Sequence, residues 1–97
     1  MSDSAAVVLR IRASGVVQGV GFRWFVREEA RRLGLAGWVR NEADGSVLLE
    51  AGGSQRAIDA LIVAVSVGPP GSHVRQVEQE VTEAVASSLP YPFNVMR

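Results

Sequence analysis

Gly15-Val16-Val17-Gln18-Gly19-Val20-Gly21 decides how this chain is read, because its three glycines within seven residues separate two segments of different hydrophobic period. Before it, Val7 to Ser14 alternates Leu9, Ile11 and Ala13 with Arg10, Arg12 and Ser14, which predicts a strand with one face wet. After it, Phe22, Phe25, Val26, Ala30 and Leu33 recur at helical spacing, and Gly34 stands where a helix ends. The reading is strand, glycine-rich loop, then a helix over Phe22 to Leu33 in which Glu28 and Arg32 can pair at i,i+4. Arg27, Arg31 and Arg32 load the later turns and read as a solvated face.

Outward from this unit, Ala36 to Asn41 and Ser46 to Gly52 flank Glu42-Ala43-Asp44-Gly45, whose Asp-Gly pair predicts a hairpin reversal. Ser54 can cap a second helix with Ile58, Leu61, Ile62 and Val65 on one stripe, and Gly68-Pro69-Pro70-Gly71 ends it. Val74 to Val85 reads as a long strand with a Glu-rich outer face, and Phe93 to Met96 as a short edge strand after Pro90 and Pro92. Arg75, Glu78, Glu80 and Glu83 would discourage pairing along that edge. The order βαββαβ is that of an α+β, ferredoxin-like α/β sandwich, with two helices on one face of a mainly antiparallel sheet.

The length of 97 residues fits one domain, expected over residues 7–97 behind a frayed tail at residues 1–6. Ten basic and ten acidic residues cancel, so no long-range attraction draws the chain to nucleic acid or an anionic membrane. All ten cations are Arg, so any side chain that binds an anion by charge does so through guanidinium. The absence of Cys removes disulfides, thiolate chemistry and Cys-type metal sites, and His73 alone makes no His cluster, so metal chemistry would have to rest on carboxylates; no cofactor is expected. No run approaches the roughly 18 apolar residues of a membrane span, and the chain reads as cytoplasmic.

A glycine-rich loop between a strand end and a helix start can turn successive N–H groups onto an anion, to which the helix terminus adds partial positive charge. Two familiar phosphate loops fail here: the third glycine of the dinucleotide fingerprint is missing, and no Gly-Lys-Ser/Thr follows. What the loop has is Arg23, a cation in the first helical turn, where the dipole disfavours it unless an anion sits alongside. This conflict favours a phosphate ligand over a surface cation.

The run Gly15 to Arg23, followed by Leu33-Gly34-Leu35-Ala36-Gly37-Trp38-Val39-Arg40-Asn41 and Asp44-Gly45-Ser46-Val47, resembles the acylphosphatase family. The likeness is dense from Val8 to about Glu50 and looser through Gly68-Pro69-Pro70 and Val74 to Val81; where the family often has an aromatic residue before the Gly-Pro turn, this chain has Val65-Ser66-Val67. The resemblance implies hydrolysis of the carboxyl–phosphate bond of small acyl phosphates to a carboxylate and inorganic phosphate. It further implies that Arg23 binds the phosphoryl oxygens and that backbone amides of the loop, through Gly15, Val17, Gln18, Gly19, Val20, Gly21 and Phe22, surround them. Asn41 would position the attacking water. Inorganic phosphate or sulfate would then occupy the same site, and a monomer with no nucleic-acid or membrane partner is expected. Because the leaving carboxylate is weakly basic, such chemistry requires neither covalent nucleophile nor metal.

Blander readings compete. Asn41 also suits the opening of a turn, Trp24 and Trp38 suit core or rim packing, and His73 suits a solvated loop. A non-catalytic ferredoxin-like module binding phosphorylated metabolites or RNA is the alternative function. For RNA, Gly21-Phe22-Arg23-Trp24-Phe25-Val26 loosely matches the aromatic signature of recognition domains, but those aromatics project from a sheet and these open a helix.

Overall fold

A computed structural model describes residues 6–97 and orders the elements as β1 (Val7–Val16), α1 (Phe22–Arg32), β2 (Ala36–Asn41), β3 (Val47–Gly53), α2 (Gln55–Val67), β4 (His73–Glu80) and β5 (Asn94–Val95). Of the expected tail, residues 1–5 lie outside the described residues, and Ala6 is exposed and outside any regular element. The sheet order is β4-β1-β3-β2-β5, antiparallel except where β5 pairs parallel to β2. This is the ferredoxin-like sandwich, with both helices against one face of the sheet.

Alternation sorts β1 as expected: Leu9, Ile11 and Ala13 are buried under the helices beside Val39, Val47, Leu49 and Ala51. α1 adds Phe22, Val26 and Ala30 to this core, and α2 adds Ile58, Leu61 and Val65. Ser54 caps α2 by accepting a hydrogen bond from the Ala57 N–H at 3.1 Å. On the opposite face, Arg10 and Arg40 flank the Trp38 ring, 5.8 and 4.9 Å from its centroid. Glu50, only 4% exposed, accepts hydrogen bonds there from Arg10, Trp38 and the Thr82 hydroxyl.

Four expectations need correction. The last long strand ends at Glu80 rather than Val85, because Glu80 is the last residue paired to β1 and the chain then leaves the sheet. Thr82 is drawn to Glu50 on the outer face, Leu89 is buried, and Val81 is left 93% exposed. Alternation reports faces but not how far a neighbouring strand continues. Second, His73 opens β4 rather than lying in a loop, since it pairs with Val16. Third, Arg32 pairs with Glu29 at 2.6 Å while Glu28 pairs with Arg27 at 2.7 Å, so the Glu28–Arg32 bridge is absent. Fourth, β1 runs on to Val16, taking Gly15 and Val16 out of the loop.

Gly15 sits where the register between β1 and β4 shifts, with φ of 126°, and a Cβ there would run into the His73 carbonyl oxygen. Only glycine allows the two strands to close at this point.

Candidate active site

The loop after β1 enters α1 through Gly21, which takes φ of 77° in the left-handed region. Glycine at this helix N-cap has no side chain to occupy the first-turn N–H groups, and no acidic residue stands in that turn. The helix terminus therefore presents free donors and partial positive charge to whatever lies before it. Arg23, one residue into α1, sits beside them, its Nη1 making one long contact of 3.5 Å to the Met96 carbonyl oxygen. Its remaining donors have no partner among the described residues, an arrangement suited to bidentate recognition of an oxyanion.

A cleft of about 420 Å³ opens over this terminus, lined by Val17, Gly19, Gly21, Phe22, Arg23, Trp24, Arg27, Asn41 and Val95. The structure thus brings Arg23 and Asn41 together with Val17, Gly19, Gly21 and Phe22 of the expected set. Asn41 arrives from the end of β2, opposite Val47, so sheet pairing rather than local sequence carries it to the helix start. Gly15, Gln18 and Val20 do not line the cleft. Gly15 serves strand closure, and Val20 packs against the core.

Gln18 does something its sequence position does not suggest. Its Nε2 donates to the carbonyl oxygens of Glu42 and Ser46, both at 2.9 Å, tying the glycine loop to the turn that follows Asn41. The same turn is held from the other side by Arg12, which donates to the Ser46 hydroxyl at 2.8 Å and to Glu80 at 2.7 Å and lies 3.7 Å from Asp44. Asp44 accepts from both the hydroxyl and the N–H of Ser46, and these bonds hold its carboxyl below the usual range, with Arg12 adding to the effect. Hydrogen bonding to Arg12 lowers Glu80 in the same way and raises Arg12.

Trp24, Arg27 and Val95 are cleft residues that sequence reasoning did not place there. Arg27 is not simply a solvated cation: its guanidinium stacks 4.2 Å from the Trp24 ring centroid, and its side chain is only 21% exposed. Helical spacing held the signal, since position 27 falls on the same face as position 23. Val95 had none, because β5 reaches the site only by pairing with β2. Among the described residues no group of three or more His, Cys, Asp or Glu side chains is placed to hold a metal ion. Among them, too, no helix is long and apolar enough to cross a membrane.

The family model described as Acylphosphatase matches residues 9–88. The chain belongs to the acylphosphatase family. A curated acylphosphatase of Rhizobium etli is 50% identical over 98% of each chain. Among solved structures, that of the acylphosphatase from Bacillus subtilis superposes with a TM-score of 0.85 at 37% identity, covering 93% of this chain and 98% of the other. That of the acylphosphatase from Coxiella burnetii gives 0.82 at 36% identity, over 99% and 98%. These likenesses span the acylphosphatase fold from β1 to β5, and they do not favour the reading as a non-catalytic module.

Proposed function

We propose that this acylphosphatase-family enzyme, a hydrolase acting on acid anhydrides, cleaves the carboxyl–phosphate bond of small acyl phosphates in the cleft at the start of α1. The observation that carries the mechanism is that Arg23, in a first turn with no side-chain cap, and Asn41, at the end of β2, line one cleft. The Arg23 guanidinium and the free amides of the loop and first turn hold the phosphoryl oxygens and neutralise charge that grows on them. The Asn41 carboxamide orients a water for in-line attack. The water oxygen forms a bond to phosphorus as the bond from phosphorus to the acyl oxygen breaks, and the carboxylate leaves with that electron pair. A neutral amide cannot serve as a useful base, so the water proton passes to a phosphate oxygen or to solvent.

Inorganic phosphate, the product, and sulfate share the tetrahedral oxyanion geometry and compete for the same donors. Residues 7–97 act as one catalytic domain, monomeric and cytoplasmic, without metal or cofactor; the Cys-free composition agrees with a reducing compartment. The test is release of inorganic phosphate from benzoyl phosphate by purified protein with and without EDTA. Turnover undiminished by EDTA and competitively inhibited by phosphate is expected. Loss of turnover with EDTA and recovery with magnesium would overturn the mechanism.

A further inference from the structure

The cleft is larger than the phosphoryl group requires. Its volume of about 420 Å³ lies within the range of small-ligand sites, and a phosphoryl group fills only a fraction of it. Besides Arg23, Asn41 and the loop residues, its lining includes Trp24, Arg27 and Val95, an aromatic ring, a second guanidinium and an aliphatic side chain. No acidic side chain is among the lining residues. Arg27 stands four residues beyond Arg23, about 6 Å further along the helix axis on the same face.

Two cations on one face of α1 exceed what a single phosphoryl group needs when loop amides and a helix terminus already surround it. Arg27 is also held in place. One face of its guanidinium lies against Trp24 at 4.2 Å, which leaves the donor edges to make hydrogen bonds. One donor goes to Glu28 at 2.7 Å, but that carboxylate is 52% exposed, and an ion pair so open to water exchanges readily for a ligand.

We propose that Trp24 and Arg27 form the acyl-recognising end of the cleft, and that the enzyme prefers acyl phosphates whose acyl group carries a second negative charge at the end remote from the phosphoryl group. Trp24 supplies a flat apolar wall for the body of the acyl group, and Arg27 supplies donors for a carboxylate at its far end. Glu28 competes with that carboxylate and sets how strong the preference is. This inference rests on the acyl phosphate hydrolysis proposed above.

The test compares 4-carboxybenzoyl phosphate with 4-methylbenzoyl phosphate, rigid substrates of similar size that differ in one charge and cannot fold back on the reacting centre. The readout is the ratio of their kcat/KM values, which cancels changes in the phosphoryl site common to both. The wild-type ratio should favour the carboxylate and fall about tenfold in Arg27→Gln, the size expected of one partly exposed charge-assisted contact. Arg27→Lys should restore part of it. Glu28→Gln should raise the ratio, and carries the test even if the Arg27 variants fail to fold. A ratio that is the same in wild type, Arg27→Gln and Glu28→Gln overturns the inference while leaving the hydrolase intact. Failure of wild type to hydrolyse either compound overturns both readings.

Discussion

Asn41 and Arg23 share a cleft but act on different partners in the proposed mechanism, and substitutions separate them. A group that orients only water adds little to substrate binding, so Asn41→Ala should lower kcat by about two decades with KM nearly fixed. Steady-state kinetics on benzoyl phosphate, with circular dichroism to confirm folding, measures this; near-normal turnover would return Asn41 to the role of a turn residue. Gln18 tests the support beneath. Its Nε2 bonds to Glu42 and Ser46 join the glycine loop to the turn beyond Asn41. Gln18→Leu leaves both carbonyls without that donor and should reduce kcat by about tenfold or more, with a loss of stability of about 1–3 kcal/mol in urea titrations. A variant that loses stability but keeps full turnover would limit Gln18 to a structural role.

Among the elements, the β2–β3 turn depends on a cluster of charges whose response to acid has a definite sign. Asp44 and Glu80 are both held below the usual carboxylate range, Asp44 chiefly by Ser46 and Glu80 by Arg12. Groups with a lowered folded pKa contribute stability above the unfolded value, about 4, and that contribution is lost as pH falls through the folded value. Thermal unfolding followed downward from pH 5 should therefore show a fall in Tm that is shallower in Arg12→Met; identical slopes would remove Arg12 from this role. The β1–β4 contact makes a second prediction. Gly15→Ala combines a left-handed φ with a clash against the His73 carbonyl and should destabilise by about 1–3 kcal/mol or more, seen as a lower urea midpoint. How far the elements were legible follows from the range of the forces that set them. Alternation in β1, the apolar stripe of α1 and the Ser54 cap are local signals and gave the right elements. The end of β4 depends on where β1 stops pairing with it and on Glu50 drawing Thr82 across the outer face, which no local pattern encodes. The cleft divides the same way: the glycine loop and Arg23 are contiguous and readable, whereas Val95 and the Gln18 tie arise only from chain segments that meet in space.

At the scale of the whole molecule, a ligand that binds only the folded state must raise its stability. Phosphate at 100 times its Kd should add about 2.7 kcal/mol, a shift in Tm of about 10–20 °C for a domain of this size. Arg23→Ala should abolish most of that shift, and an equal shift in both proteins would place the anion elsewhere. The guanidinium lining of the cleft has one more consequence. An acyl phosphate is an acylating agent, and a neutral amine or a thiolate held beside its carbonyl would capture the acyl group and be lost to covalent modification. The cations that line the cleft, Arg23 and Arg27, are guanidinium groups, which are poor nucleophiles, and the chain has neither a Lys nor a Cys side chain anywhere. The enzyme can thus hold an activated carboxyl group at high local concentration with no side-chain amine or thiol for it to damage. An Arg23→Lys variant gives up that protection, and intact-mass spectrometry after extended turnover should find the variant acylated and the wild-type side chains unmodified.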